Sequence, residues 1–370
     1  MTPRSYFSVV AASLAVGLLA TGPSRAAEDN SKRKAEMEDA TRLQVFLDRA
    51  EFAPGKIDGR HGEFTKKALA LYRQAHKGST ASAAAPAAGE SKSESKLDVS
   101  GLDLASIEPL FIDYTVTEDD LKDIGKVPKE VPDQAKLKFL SYEDGAEVIA
   151  EKFHTDVDFL AELNPGKTKE IKAGDTLRVP NVQPFELAAV KDLQPGSQVA
   201  ANDPDDGSEP ATKADGDKSK KPSKDAAKKE DDAKSPNIAV KIDTKTSMLS
   251  VFAADKLIAA YPVTIGSDET ASPVGEWKVK GVAKMPDFRY DKAMLKKGER
   301  SDDFHMLPPG PNNPVGIVWI ALNKPGIGLH GTSDPDSIGR SASHGCVRLA
   351  NWDVVRLAAK VKGGVPVSIK

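Results

Sequence analysis

The chain has 370 residues, of which 39% are hydrophobic, 6% aromatic and 29% charged, and it contains one cysteine. This length suggests two or three domains, and the composition excludes a polytopic membrane protein and a fully disordered chain. A formal net charge of −3 excludes the overall basic character of nucleic-acid-binding proteins. A single cysteine excludes an intramolecular disulfide and a multi-cysteine zinc ribbon.

Residues 1–26 have the pattern of a secretory signal peptide. Arg4 supplies the positive start, residues 7–19 form a short apolar run, and small residues precede a cleavage site after Ala26. The alternative is an uncleaved membrane anchor, but the apolar run is shorter than the roughly 20 residues that span a bilayer. We therefore expect a mature protein in the periplasm with no stable membrane insertion.

Two stretches have the composition of solvated linkers. Residues 79–107 begin with an Ala/Ser/Gly/Lys-rich run, and residues 200–236 consist mainly of Lys, Asp, Ala, Ser and Pro. Such segments bury too little apolar surface to offset the entropy of ordering the chain. The two linkers are therefore predicted to be flexible tethers that leave the last block free to search a polymer. The folded blocks that the linkers separate are residues 38–78, 108–184 and 237–370.

The first block predicts two helices around a glycine-rich loop. Leu43 and Leu47 recur at helical spacing, and Thr65 is expected to cap a second helix. Between them, residues 52–65 follow the pattern Phe-x-Pro-Gly-x-Ile-Asp-Gly-x-x-Gly-x-x-Thr. This run resembles the small α-helical peptidoglycan-binding domain of cell-wall hydrolases. The alternative is that the glycines and Asp58 simply build the turn.

The second block predicts a helix over residues 143–153, a turn at Asn164-Pro165-Gly166 and a strand ending near Pro180. Residues 142–182 resemble a lysin motif, a small α+β sugar-binding repeat. The pattern departs from the motif at its start, where residues 139–145 replace the usual opening strand. The block therefore either binds glycan strands or serves as a spacer of the same fold, and His154 is expected to be an ordinary surface or core histidine.

The third block is predicted to be mainly β, with one helix over residues 352–361. It carries more basic than acidic residues, which suits an acidic polymer as substrate. Runs of β-forming residues separated by turn residues predict strands over residues 238–242, 248–253, 257–265, 276–282, 315–321 and 365–369.

Residues 328–351 concentrate the groups that acyl transfer requires. A cysteine, two histidines and two arginines lie in a Ser/Gly-rich loop, and flanking cations are expected to lower the pKa of the thiol. A nearby histidine can carry its proton, and Gly345 leaves backbone N–H groups open for an oxyanion. The residues in question are Cys346, His330, His344, Arg340 and Arg348. A buried structural cysteine or a zinc site are the alternatives, although no closed-site ligand spacing supports zinc.

The pattern His-Gly-Thr…Ile-Gly-Arg…Ser-His-Gly-Cys-x-Arg-Leu over residues 330–349 resembles the signature of L,D-transpeptidase catalytic domains. This resemblance covers the third block and implies a β-sandwich with a cleft under a mobile flap, expected within residues 284–303. It also implies a complete catalytic set. Cys346 is the nucleophile, and His330 is the base, oriented by the carbonyl of Gly331. His344 and Gly345 shape the oxyanion site, and Arg348 and Ser343 bind substrate.

The implied substrate is peptidoglycan, through its stem tetrapeptides, and no metal or organic cofactor is required. The thiolate would attack the third stem residue, release D-alanine and pass the acyl group to an amine. Cross-linking, protein anchoring and trimming by water differ only in the acceptor. A non-catalytic wall-binding scaffold is the alternative from a different class, and the paired His330 and Cys346 argue against it.

Overall fold

A computed structural model describes residues 25–76, 97–197, 237–266, 272–297, 300–339 and 345–370. The expected signal peptide apart from its last two residues, the first part (79–96) of the expected linker at 79–107, and the expected linker at 200–236 lie outside the described residues. The described helices are α1 (Arg25–Arg49), α2 (Glu63–Ala75), α3 (Glu118–Leu121), α4 (Val131–Gln134), α5 (Gly145–Lys152), α6 (Val157–Leu163), α7 (Lys292–Lys297) and α8 (Asn351–Lys360). The described strands are β1 (Phe111–Thr115), β2 (Thr176–Pro180), β3 (Ile238–Asp243), β4 (Met248–Ala253), β5 (Lys256–Pro262), β6 (Gly275–Lys284), β7 (Phe288–Tyr290), β8 (His305–Leu307), β9 (Val318–Leu322), β10 (Gly328–His330), β11 (Val347–Arg348) and β12 (Pro366–Ile369).

The first block consists of α1 and α2, and the predicted apolar stripe of α1 is buried at Leu43 and Leu47. The prediction that Thr65 caps α2 is wrong. The N-cap is Gly62, whose backbone is extended, while Thr65 lies buried inside the helix. The Thr65 hydroxyl instead accepts a hydrogen bond from Gln44 Nε2 at 3.4 Å, so the threonine joins the two helices.

The core of this block is completed by the third block. Met248, Leu257 and Ala260 of β4 and β5 pack in one cluster with the buried residues of α1 and α2. Main-chain hydrogen bonds join the two blocks as well, from Ala53 N to Ala260 O at 2.8 Å and from Ala260 N to Glu51 O at 2.9 Å. The helices therefore cover one end of the sheet.

The expected linker at 79–107 extends too far toward the second block. The apolar side chains in the last part of this linker pack against the core of α1 and α2. They are Leu97, Val99, Leu102 and Leu104. A short 3₁₀ turn over Leu104–Ser106 follows, capped by the Asp103 side chain. These apolar residues are two, three and two positions apart, which matches neither a helix nor a continuous strand, so no periodic pattern predicts their burial.

The second block pairs β1 with β2 in an antiparallel ribbon, with α5 and α6 between them along the chain. Asp144 caps α5 by accepting hydrogen bonds from the backbone N–H groups of Ala146 and Glu147. The resemblance to a lysin motif predicted that residues 139–145 replace the opening strand of the motif. In the structure, the strand before α5 is β1, and residues 116–143, which include α3 and α4, lie between them.

The third block is mainly β, as predicted. Eight of its ten described strands form one sheet in the order β11-β10-β9-β6-β12-β3-β4-β5, and β7 and β8 form a separate two-stranded ribbon. The ten-residue β6 joins the two halves of this sheet, β11-β10-β9 and β12-β3-β4-β5. Its first part pairs with β12 and its last part with β9, across a bulge at Val279 and Gly281. The sheet can therefore fold over a single apolar core, against which α8 packs through Trp352, Val354 and Leu357.

The three blocks contact one another through buried polar groups, which differs from the free tethering that the linkers suggested. Asp48 of α1 receives hydrogen bonds at 2.9 Å from both terminal nitrogens of Arg356 in α8. The same carboxylate lies 3.1 Å from Nδ1 of His154, which is a buried core histidine of the second block stacked on Trp352. One carboxylate thus joins all three blocks.

In the part of the chain that the structure describes, we find no helix with the length and apolarity needed to cross a bilayer.

Candidate active site

Two short parallel strands bring Cys346 and His330 to the same face of the sheet. Strand β10 pairs with β11 so that Leu329 lies opposite Val347 and His330 lies opposite Arg348. Leu329 and Val347 both point into the core. Because side chains alternate along a strand, His330 and the residue just before Val347, which is Cys346, share the other face.

The His330 ring is held in one orientation from two sides. Its Nδ1 donates a hydrogen bond to the carbonyl oxygen of Gly331 at 2.7 Å. The ring also stacks on Trp319 of β9, with centroids 5.1 Å apart and planes 13° apart. With its proton on Nδ1, the neutral ring leaves Nε2 as a proton acceptor. Burial lowers the pKa of His330 to about 4, despite the opposing effect of the Gly331 carbonyl, so the imidazole is neutral at pH 7.

Cys346 is half-buried, and its thiol lies against the segment that leads into β10. Sγ donates a hydrogen bond to the carbonyl of Gly326 at 3.5 Å. Burial raises the pKa of the thiol, and it outweighs the lowering effects of the Gly328 backbone and of Arg348. Arg348 lowers this pKa, as expected for a flanking cation, but desolvation of the thiolate exceeds its effect, so the net shift is upward.

The other expected site residues divide between the described and undescribed parts of the chain. Gly345 is buried with a φ of +98°, a left-handed conformation that favours glycine. Arg348 lies in β11, and its backbone exchanges hydrogen bonds with Thr264 at 2.9 and 3.0 Å. Ser343, His344 and Arg340 lie outside the described residues.

The loop after His330 is fixed by residues that the sequence analysis did not single out. Thr264 Oγ1 accepts a hydrogen bond from Gly339 N at 2.8 Å and donates one to Ser337 O at 2.9 Å. From the first block, the Phe64 ring packs so closely on Gly339 that a Cβ there would overlap it. No local pattern in the sequence marks these residues, because their partners lie far away along the chain.

The region expected to hold the flap forms a hairpin with a short helix. Strands β7 and β8 pair in antiparallel fashion and enclose α7. Asp291 ties the hairpin together by accepting hydrogen bonds from the backbone of Met294 and Ser301 and from the Arg289 side chain. A Cβ added to Gly326 would lie 3.9 Å from the terminal methyl of Met294. The hairpin therefore reaches the residue whose carbonyl receives the Cys346 thiol.

No cluster of three or more His, Cys, Asp or Glu side chains that could hold a metal ion occurs among the described residues. Within that part of the chain, the chemistry of the face formed by β10 and β11 is that of a thiol next to a neutral imidazole.

Comparison with known proteins identifies the family of the third block. Residues 237–369 match the YkuD family, described as the L,D-transpeptidase catalytic domain. A Bacillus subtilis protein designated L,D-transpeptidase YqjB is 30% identical over 133 residues, which cover 35% of this chain and 68% of that protein. This chain belongs to the L,D-transpeptidase family.

A second relative and a solved structure each align with 36% of this chain. A Bacillus licheniformis protein designated L,D-transpeptidase YkuD is 33% identical over 132 residues, covering 36% of this chain and 64% of that relative, so the match spans just under two thirds of its length. The solved structure of L,D-transpeptidase 3 from Mycobacterium tuberculosis aligns at 17% identity and a TM-score of 0.30, covering 36% of this chain and 61% of that chain. That score is too low to support the fold, which rests on the strand pairings described above. The transpeptidase domain is thus confined to the third block.

Proposed function

We propose that this protein is a cysteine-dependent L,D-transpeptidase of the periplasm that acts on peptidoglycan stem tetrapeptides. Cys346 forms a thioester with the third residue of a donor stem, which releases the terminal D-alanine, and the acyl group then passes to an amine. The observation that supports this proposal is the placement of Cys346 and His330 on one face of adjacent parallel strands, in a chain whose third block belongs to the transpeptidase family.

In the first half-reaction, the resting pair is a neutral thiol and a neutral imidazole. His330 Nε2 takes the thiol proton as sulfur bonds to the stem carbonyl carbon. The resulting imidazolium is stabilised by the Gly331 carbonyl, which accepts from Nδ1. His330 then gives this proton to the departing nitrogen of D-alanine as the C–N bond breaks, which leaves the thioester.

The second half-reaction runs in the opposite sense. The acceptor amine attacks the thioester carbon and loses a proton to His330, and the C–S bond breaks as the sulfur is reprotonated. We assign the oxyanion site to His344 and Gly345 and substrate contacts to Arg348 and Ser343. A diaminopimelate amine as acceptor gives a cross-link, a protein lysine gives covalent anchoring, and water gives trimming.

We assign the first two blocks to wall attachment. The helical pair α1–α2 corresponds to the proposed peptidoglycan-binding module, and the β1–β2 unit corresponds to the proposed lysin motif for glycan strands. In this proposal the chain needs no cofactor and binds no nucleic acid. After removal of residues 1–26 it has no stable membrane insertion.

Incubation of the purified protein with tetrapeptide stems, followed by mass spectrometry, tests the function. We expect the wild type to carry an acyl adduct on Cys346 and to yield stem dimers. Cys346→Ala and Cys346→Ser should not form the acyl adduct, because the sulfur forms the intermediate. Either variant acylated at the wild-type yield would contradict the proposal. An adduct without dimers would favour trimming, and a wild type without any adduct would favour the non-catalytic scaffold.

A further inference from the structure

A buried carboxyl group of the second block points toward the catalytic block. Glu151 of α5 is 7% exposed, and its Oε1 accepts a hydrogen bond from the Tyr142 hydroxyl at 2.8 Å. Both of its oxygens also lie 3.3 Å from Nδ2 of Asn351, the first residue of α8. These two residues are 200 positions apart in the sequence, so the contact is a property of how the blocks pack.

Asn351 in turn packs against the backbone next to the catalytic histidine. Its Oδ1 accepts a hydrogen bond from Ile317 N at 3.4 Å. The same oxygen lies so close to Gly316 and Gly331 that a Cβ on either glycine would overlap it. The side chain is fully buried, so its position is set by its partners, of which Glu151 is the one contributed by the second block.

Gly331 is the residue whose carbonyl accepts from His330 Nδ1 at 2.7 Å. That hydrogen bond fixes which ring nitrogen carries the proton and therefore leaves Nε2 free to receive the thiol proton. A shift of the Gly331 backbone would change both the orientation and the tautomer of the imidazole. Contacts thus run without a gap from Glu151 through Asn351 and Gly331 to His330.

We propose that Glu151 is a positioning residue for His330, acting through Asn351 and the Gly331 backbone, so that the second block completes the catalytic geometry of the third. This inference rests on the proposed role of His330 as the base. It assigns the second block a part in catalysis that is separate from any binding of glycan.

The surroundings of Glu151 determine the protonation state in which its carboxyl group contacts Asn351. Burial raises its pKa to about 8, against the hydrogen bonds from Tyr142 and Asn351, and Glu147 on the same helix acts in the same direction as burial. The group is therefore mostly protonated at pH 7. A glutamine has the same shape and can accept the same two hydrogen bonds through Oε1, so it is the conservative replacement.

The test measures the rate at which iodoacetamide alkylates Cys346 in the full chain at pH 7, with His330→Gln as reference. Alkylation needs no peptide substrate, so it reports on the His330–Cys346 pair even if the natural reaction is not transpeptidation. We expect Glu151→Ala to slow alkylation by at least about tenfold, as His330→Gln does, whereas Glu151→Gln stays within about twofold of the wild type. Mere loosening of the protein would expose the thiol and speed alkylation instead.

Tyr261→Phe is the matched control, because it removes a tyrosine–glutamate hydrogen bond that joins the third and first blocks, that to Glu51 at 2.7 Å, away from Asn351. It should leave the rate unchanged. The proposal is overturned if Glu151→Ala keeps the wild-type rate, if Tyr261→Phe slows alkylation equally, or if His330→Gln has no effect. Should Glu151→Ala fail to fold, Asn351→Ser probes the same connection from the other side with the same expected loss. If all variants show the expected alkylation rates but the wild type forms no thioester with stem peptides, the proposed function is overturned and the role of Glu151 is not.

Discussion

At the scale of single residues, burial acts on the two members of the candidate pair in opposite directions. It lowers the pKa of His330 and raises that of Cys346, so both groups are held neutral. An enzyme whose resting state is a thiolate–imidazolium ion pair requires the reverse shifts. In the proposed mechanism, this neutral pair transfers its proton during attack, so the orientation of His330 Nε2 controls the rate.

The pH dependence of Cys346 alkylation follows from these shifts. Thiolate is the reactive form, and because the thiol pKa lies above its usual value of 9.0, the thiolate fraction should keep rising with pH through 9. Because His330 is already neutral above about pH 4, no inflection should occur near its usual value of 6.5. Rates of iodoacetamide alkylation measured across this pH range check both points. A plateau reached below pH 8 would contradict the neutral resting pair.

At the scale of elements, α1 and α8 are joined by an ion pair between the fully buried Asp48 and Arg356, whose side chain is 15% exposed. Burial alone would raise the pKa of Asp48, but Arg356 and His154 together hold that pKa well below its usual value. Both arginine nitrogens reach the carboxylate at 2.9 Å. Breaking a buried pair is costly chiefly because it leaves the remaining charge without compensation, so the two helices depend on both partners being present.

We expect Asp48→Ala to lower the free energy of unfolding by about 3–5 kcal/mol, because it leaves Arg356 buried without its carboxylate. The double variant Asp48→Ala with Arg356→Leu should cost clearly less than the two single changes added together. Denaturant unfolding of the four proteins gives this coupling. Additive costs would show that the pair does not act as a unit.

At the scale of the whole molecule, the third block is not self-contained. Its strands β4 and β5 share an apolar cluster with α1 and α2, and Lys360 of α8 pairs with Glu51 at 3.3 Å. Removal of the first block would expose this apolar face and leave a buried lysine without that partner. The first two blocks therefore support the catalytic block structurally, whatever they bind.

We expect residues 237–370 expressed alone to be less stable than the full chain and prone to association, because the face formed by β4 and β5 is uncovered. Adding residues 25–197 as a separate chain should restore solubility. Calorimetry of the full chain should show one unfolding transition for the packed blocks. An isolated third block that melts at the temperature of the full chain would contradict this interdependence.

By itself, the sequence determined the longer strands of the third block, its last helix and its family, but not the short strands β7, β8, β10 and β11. Period-two patterns predicted the strands around Val240, Val251 and Val367, because each strand has one face buried in a common core. His330 and Cys346 could be singled out from the sequence because both lie in one short stretch of chain that the family motif spans.

Only the tertiary structure decided how the blocks meet and which protonation states the site holds. The Glu151–Asn351 contact joins residues 200 positions apart, and the Asp48–Arg356 pair joins residues 308 apart. Neither leaves a local pattern in the sequence. Burial raises the thiol pKa more than Arg348 lowers it, because desolvation depends on everything packed around a group, including residues remote in the sequence.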